Sequence, residues 1–215
     1  IDHFVSCLRI RLEVKLGLRL DCGTLVEILT QRHLVDRHTV PSHHAGGVDG
    51  DLVLTESSAI LVYIAGKAAP AWLGTGEPMI AARIQQWLSF SGRLTASLGG
   101  ARLHEMLHRP GDIDALRSSG VIALRELEAA LFEQRLKGEA FLVGNTPTVA
   151  DIACFPYVAL APDGGVSLDA YPSIRLWMRA IRSLDGFIEM PGIHRLHELK
   201  PDPHEGPALT ETAGA

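Results

Sequence analysis

The sequence lacks the features that mark membrane proteins and nucleic-acid-binding proteins. Its longest apolar runs, such as AILVYIA at residues 59–65, are far shorter than the ~20 residues that a membrane-spanning helix needs. Twenty lysines and arginines face 25 aspartates and glutamates, for a net charge of -5, so no basic excess points to a nucleic-acid partner. We therefore expect a protein that binds neither membranes nor nucleic acids.

Cysteine is also scarce. Cys7, Cys22 and Cys154 are widely spaced, and they form neither a C-x-x-C pair nor an even set for a disulfide framework. Such cysteine usage is typical of a reducing compartment. Residues 1–17 carry charges where a signal peptide would have its apolar segment. These absences together predict a cytoplasmic protein without a leader.

The composition is that of an ordinary globular protein, 47% hydrophobic and 21% charged over 215 residues, which suffices for one large domain or two small ones. The first third mixes helix and strand signals. They predict a helix over 6–17 that Gly17 stops, a strand over 24–29, a hairpin turn at Asp49-Gly50, a strand over 52–54 and a helix over 57–67. Residues 68–78, which contain proline and glycine, are typical of an interdomain linker.

After the linker the apolar spacing is helical throughout. Four helices are predicted: one from Ile80 to Leu107 that Gly99-Gly100 interrupts and Arg109-Pro110-Gly111 ends, one through Leu116 and Leu131 that Gly138 stops, one that begins at Thr148, and one over 171–184. The tail over 200–215 has little apolar surface to bury, so we expect it to be disordered.

A capping-box pattern opens the third of these helices. Thr148 supplies a hydroxyl at the helix start, and Asp151 follows three residues later. The two side chains can satisfy each other's backbone amides. We therefore assign both residues a structural role as a helix cap.

The stretch DGDLVLTESSAILVYIA (49–65) places Glu56 and Ser57 where a strand turns into a helix. A helix start offers unpaired amides and a positive dipole end, which suit a carboxylate ligand. Glu56 beside them can accept an ammonium group. The pair thus matches the two charges of an α-amino-acid head group, although an ordinary helix cap explains the same residues.

This arrangement, followed by a linker and an all-helical block, resembles the glutathione S-transferase family. The resemblance is carried by VDGDLVLTESSAILVYIA (48–65), QQWLSF (85–90), FLVGNTPTVADIACFPYVALAPDGGVSL (141–168) and YPSIRLWMRAIRSLDGF (171–187). It implies an α/β plus all-α fold: a shortened thioredoxin-like domain over 1–67, a linker over 68–78, an all-helical domain over 79–199 and a tail over 200–215.

The resemblance also implies roles for individual residues. Glu56 and Ser57 would hold the γ-glutamyl head group of glutathione. His44, with His43 beside it, falls where the family often contacts the glycyl carboxylate, although a solvated loop is the alternative. Ser6, or else Cys7, would donate a hydrogen bond that stabilises the glutathione thiolate; the alternative is a helix cap and a small buried residue.

The activity implied is a glutathione transferase, with glutathione as co-substrate, a small hydrophobic electrophile as second substrate and no metal. A homodimer and a role in detoxification are the family's usual context. The electrophile would sit against the helix that carries Trp87, Ser91 and Leu94. The chain departs from the family by lacking the Val-Pro strand ahead of the hairpin, which leaves a catalytically inactive binding or dimerisation protein as the alternative.

A remote alternative comes from HEMLH at 104–108. This pattern fits the H-E-x-x-H signature of zinc proteases, in which two histidines share one face of a helix and the glutamate acts as base. Catalysis would need a third protein ligand, for which His194, His197 and Glu198 are candidates without diagnostic spacing. A histidine near a helix end is also favoured by the helix dipole without any metal.

Overall fold

The computed structural model describes residues 9–10, 12–13, 19–20, 47–49, 52–74, 76–185 and 187–188. The strands are β1 Arg9–Ile10, β2 Leu12–Glu13, β3 Arg19–Leu20, β4 Gly47–Asp49, β5 Leu52–Leu54 and β6 Phe187–Ile188. The helices are α1 Ser57–Ala68, α2 Pro78–Leu94, α3 Gly100–Leu107, α4 Ile113–Leu136, α5 Val149–Ala159 and α6 Pro172–Arg182. From α2 onward the described chain is almost entirely helical.

The described strands form three antiparallel pairs, β1 with β6, β2 with β3 and β4 with β5. The helix predicted over 6–17 is therefore wrong where β1 and β2 lie. Ile10, Leu12, Val14 and Leu16 alternate with charged residues, and this period of two favours a strand over a helix. The strand predicted over 24–29 lies outside the described residues.

The predicted strand over 52–54 and the predicted helix over 57–67 are confirmed by β5 and α1. Asp49 pairs with Leu52 and Gly47 with Leu54, so the chain reverses at the predicted Asp49-Gly50 turn. Helix α1 begins at Ser57 and ends at Ala68. A 3-10 turn at Pro70–Leu73 follows within the predicted linker.

Helices α2 and α3 are joined without a break, contrary to the interruption predicted at Gly99-Gly100. A π-helical turn at Thr95–Gly99 connects them. The Thr95 hydroxyl donates to the carbonyl of Ser91 at 2.9 Å, which competes with the ordinary helical pattern. Gly100 lies close to Leu116: a Cβ there would be 2.9 Å from Leu116 Cδ2, so that side chain would have to shift.

The hydrophobic core is centred on α5, which packs against α2 and α1 on one side and α6 on another. The side chains of Leu94, Leu124 and Phe155 are fully buried. Phe155 also meets Trp177 edge to face, with ring centroids 6.0 Å apart. Because helices α1, α2 and α6 all pack against α5, its position determines how they pack.

Asp151 is a buried carboxylate at the start of α5, and it joins three parts of the chain. Its Oδ2 accepts the Thr148 backbone N–H at 2.9 Å and the Thr148 hydroxyl at 3.1 Å. Its Oδ1 accepts the Leu142 N–H at 3.0 Å and Trp177 Nε1–H at 2.8 Å. Burial raises the pKa of the Asp151 carboxyl, and these hydrogen bonds oppose that rise. Thr148 and Asp151 therefore lie where the capping-box pattern put them, with Trp177 as an additional donor.

A second carboxylate caps α6 from a distance. The two oxygens of Glu128, on α4, accept the backbone N–H groups of Ser173 and Ile174, both at 2.9 Å. These amides belong to the first turn of α6, where intrahelical partners are lacking. Glu128 thus fixes the start of α6 against α4.

Cys154 lies in the core on α5. Its Sγ is 3.7 Å from the carbonyl oxygen of Trp87, to which it donates. Burial raises the pKa of the Cys154 thiol far above its ordinary value, and the charge of Asp151 adds to the rise. The thiol is therefore held neutral and away from solvent.

Replacement of Asp151 by alanine is expected to lower the free energy of unfolding by about 3–5 kcal/mol, because four buried donors lose their acceptor. The stability of Asp151→Asn should lie between those of the unmodified protein and Asp151→Ala, since the asparagine amide still offers one acceptor oxygen to those donors. Chemical denaturation followed by circular dichroism measures the loss. Asp185→Ala, at an exposed position, serves as the control and should change stability by less than about 0.5 kcal/mol. A loss below about 1 kcal/mol for Asp151→Ala would contradict this role.

Cys154 is expected to resist alkylation in the folded protein, since only an accessible thiolate reacts. Iodoacetamide labelling near pH ~8, where an ordinary thiol is partly ionised, should leave Cys154 unmodified until denaturant is added. Peptide mass mapping separates it from Cys7 and Cys22. Equal labelling rates in native and unfolded protein would show that the thiol is accessible.

Candidate functional site

The junction between β5 and α1 is the candidate site. Glu56 occupies the position just before α1 in an extended conformation, with φ -103° and ψ 129°. Its carbonyl accepts the Ile60 N–H at 2.9 Å, which is the first hydrogen bond of the helix. The side chains of Glu56 and Ser57 are both exposed. The sequence therefore places an acid and a hydroxyl at the surface at the helix start.

The first-turn amides of α1 are open. The N–H groups of Ser57, Ser58 and Ala59 precede the first intrahelical donor, and no side chain caps them among the described residues. The first turn also contains no acidic residue, so the positive end of the helix dipole is not offset from within the helix. The Glu56 carboxylate accepts no hydrogen bond in residues 52–74. A carboxylate ligand can bind the amides, and an ammonium group can bind Glu56.

Helix α1 is held in place from its buried side. Ile60, Ala65 and Ala68 are buried, and α1 packs against α5. Ala65 belongs to the helical core and Leu61 packs against it, so the contact with α5 holds α1 against the helical domain. The helical core thereby positions Glu56 and Ser57.

Several predicted site residues lie outside the described residues: Ser6, Cys7, His43 and His44. The structure thus brings together Glu56 and Ser57 alone among the predicted ligand contacts. These two residues are neighbours in sequence. What the fold contributes is the uncapped start of α1 at this position. The thiolate donor and the glycyl contact stay predictions.

The electrophile cleft was predicted against the helix that carries Trp87, Ser91 and Leu94, and two of these three side chains do not reach the surface. Leu94 is 0% exposed, and Ser91 is 6% exposed with its hydroxyl donating to the Leu88 carbonyl at 2.7 Å. Both lie on the face of α2 that packs into the core. Trp87 is partly buried and meets Phe90 edge to face at 5.1 Å. The serine gave a misleading signal, because its hydroxyl is satisfied within its own helix.

The H-E-x-x-H geometry predicted on one helix is also wrong. Helix α3 ends at Leu107, and the backbone of His108 adopts the left-handed conformation, with φ 51°. His104 and His108 therefore do not share a helix face. The His104 Nδ1–H donates to the carbonyl of Arg109 at 2.8 Å, so this ring caps the turn that follows the helix.

The glutamate of that pattern has a structural partner as well. Glu105 Oε1 accepts from Arg117 Nη2 at 2.7 Å, and Arg117 Nε also donates to the Gly164 carbonyl at 2.9 Å. In the described part of the chain, no three His, Cys, Asp or Glu side chains come together as a metal-binding group. The candidate third ligands His194, His197 and Glu198 lie outside it.

The sequence analysis missed the polar ties between distant elements. Glu128 caps α6 across 45 residues, and Arg102 pairs with Asp163 at 2.9 Å. A charged residue on a helix face carries no local sign of such a partner, so the pattern of the sequence could not reveal them. None of the described helices is long and apolar enough to cross a membrane.

Comparison with known proteins agrees with this architecture. Residues 123–185 match the family model for the glutathione S-transferase C-terminal domain. The chain is 32% identical over 173 residues to probable glutathione S-transferase GSTF2 of Oryza sativa subsp. japonica. The aligned region covers 73% of this chain and 80% of the rice protein.

Solved structures give the same result. A glutathione S-transferase from Xanthobacter autotrophicus Py2 has 26% identity and a TM-score of 0.59, with 70% of this chain and 73% of that chain covered. A glutathione S-transferase-I with bound lactoylglutathione has 28% identity and a TM-score of 0.54, with 65% and 69% covered. Taken with the helical domain and the helix-start site, these matches show that the chain belongs to the glutathione S-transferase family.

Proposed function

We propose that this protein binds glutathione at the start of α1 and transfers its thiolate to a small hydrophobic electrophile. The single observation that carries the proposal is the open first turn of α1 with Glu56 and Ser57 exposed beside it. Family membership supports the ligand, since the related glutathione S-transferase-I holds lactoylglutathione.

The γ-glutamyl head group supplies the two charges that this site can bind. In the proposal its α-carboxylate accepts hydrogen bonds from the Ser57 amide and hydroxyl, where the helix dipole favours negative charge. Its α-ammonium pairs with the Glu56 carboxylate. Because Glu56 and Ser57 are adjacent and both exposed, a zwitterion can satisfy the carboxylate and the amides together, whereas a simple anion satisfies only the amides.

The chemistry proposed is activation of the glutathione thiol. A free thiol with a pKa of about 8.5 is only a few per cent ionised near neutral pH. A hydroxyl or thiol that donates to the sulfur stabilises the anion and lowers the pKa. We assign this role to Ser6, with Cys7 as the second choice, and the glycyl carboxylate contact to His44. Cys154 is unsuited to any of these roles because it is buried.

A catalytically inactive binding protein is the second candidate function. The sequence contains no proline between Pro41 and Pro70, so the Val-Pro pair of the family's strand is absent ahead of the hairpin turn, where β4 is three residues long. Conjugation of a chlorinated aromatic test substrate separates the two candidates. Turnover that Ser6→Ala reduces supports the enzyme, and binding of glutathione without turnover supports the inactive protein.

The remaining proposals concern context. We infer a thioredoxin-like domain over 1–67, a helical domain over 79–199 and a homodimer, as is usual in the family; sedimentation equilibrium tests the dimer, and a monomer at micromolar concentration would contradict it. A cytoplasmic location and a role in detoxification follow from the same membership. Localisation of a tagged full-length chain tests the compartment.

Glu56→Gln is expected to weaken glutathione binding at least about tenfold, because it removes the charge that pairs with the ammonium group. Titration calorimetry on the intact chain measures the change. Glu77→Gln is the matched control, since Glu77 is also an exposed glutamate just before a helix. Equal affinities of the two variants would count directly against the proposed head-group site.

Ser57→Pro is expected to weaken glutathione binding while leaving α1 folded. Proline suits the first helical position, and the extended Glu56 before it is compatible with proline. The variant loses both the N–H and the hydroxyl proposed to bind the α-carboxylate. Affinity should fall about tenfold or more, with unchanged helix content by circular dichroism. Retained affinity would exclude this N–H and hydroxyl as the carboxylate contacts.

A further inference from the structure

The start of α1 is held in place without a capping side chain. Helix α4 is capped by Asp112, and α5 begins with the capping box of Thr148 and Asp151. Such hydrogen bonds tie the first turn to the residue before the helix. No side chain caps α1 among the described residues. The orientation of its first turn therefore depends on what the rest of the helix packs against.

Two side chains of α1 take part in its contact with the helical core. Ala65 is buried within the core, and Leu61 is half-buried and packs against it. Helix α1 contacts α5. Ile60 is buried as well, but it lies outside this core as the described residues form it. Because Ala65 ends at a methyl group, Leu61 is the larger of the two side chains in the contact.

Leu61 is also the nearer of the two to the open amides. It follows Ser57 by four residues and Ser58 by three, so these positions share one face of the helix. Helical side chains tilt toward the N-terminus of their helix and cover the turn before their own Cα. The Leu61 side chain is therefore directed toward the turn that carries the amides of Ser57 and Ser58.

Glu56 joins α1 to the strand before it. Its backbone is extended, with φ -103° and ψ 129°, and the torsions at this residue contribute to the angle between β5 and α1. A change in the packing of α1 would alter that angle, and with it the direction of the first-turn amides relative to the Glu56 side chain. Hydrogen bonds weaken steeply as they depart from linearity. A ligand that uses both groups therefore needs this angle kept constant.

We propose that Leu61 is a positioning residue for the glutathione head group. Its contact with the helical core holds the first-turn amides of α1 at the angle to Glu56 that lets one zwitterion bind both. This role rests on the proposed function, because it concerns the same head-group site, and Leu61 acts through α1 without touching the ligand. The helical domain in this way determines how well α1 distinguishes an amino-acid terminus from a simple anion.

Comparison of glutathione with N-acetylglutathione tests this role. The acetylated α-nitrogen is a neutral amide and cannot form an ion pair with Glu56. Titration calorimetry on the full chain should show at least about tenfold tighter binding of glutathione. Leu61→Ala should reduce this ratio to about threefold or less, because the ammonium and carboxylate contacts no longer form together with good geometry.

Two further variants serve as controls. Leu61→Met nearly keeps the side-chain volume and should retain the ratio of the unmodified chain. Val62 is the next residue of α1 and is 37% exposed, so Val62→Ala should change the ratio less than about twofold. If circular dichroism shows that Leu61→Ala does not fold, the smaller truncation Leu61→Val takes its place, with a ratio below that of Val62→Ala.

The ratio of the two affinities separates positioning from folding. A partly folded variant binds fewer molecules of either ligand, so its stoichiometry falls while the ratio stays that of the unmodified chain. Equal ratios for the Leu61 truncation and Val62→Ala would overturn the role of Leu61 and leave the head-group site standing. If the unmodified chain binds both ligands equally or binds neither, the head-group site itself fails, and the role of Leu61 fails with it.

Discussion

The buried carboxylate of Asp151 is the interaction on which the helical fold depends. Four donors converge on its two oxygens, from Thr148 at the helix start, Leu142 in the preceding loop and Trp177 on α6. A charge removed from water is stable only when its lone pairs are satisfied. The position of α5 in the core is therefore coupled to the path of the loop before it and to the docking of α6.

Carboxylates cap three of the helix starts in this fold, whereas α1 and α2 begin without such a cap. Asp112 accepts the Ala115 amide at 3.0 Å at the start of α4, Asp151 caps α5 and Glu128 caps α6 from outside. Helix α1 has an acid in the right place, Glu56, but its side chain does not turn back onto the helix. Helix α2 also begins without a side-chain cap, after Glu77, but Pro78 in its first turn has no N–H to offer.

Local sequence patterns correctly predicted the elements that depend on neighbouring residues. The hairpin, α1 and the helices around Leu124 and Phe155 follow from turn residues and apolar spacing, and the head-group motif could be found from two adjacent residues. The errors arose where two periods compete or where partners are distant. Ile10 and Val14 satisfy a four-residue spacing, and with Leu12 they also satisfy a two-residue spacing. Glu128 binds amides about 45 residues further along the chain.

The anchoring of α1 has a consequence for how such a chain can change over evolution. Ala65 and Leu61 pack into the helical core and α1 contacts α5, so the position of the helix is set in part by the helical domain and not only by the strands that precede it. Mutations that shorten or reshape the sheet can then accumulate while the proposed head-group site keeps its support from the helical domain. A lineage could in this way lose catalytic power long before it loses its small-molecule partner, and regain it by rebuilding strands around an intact anchor.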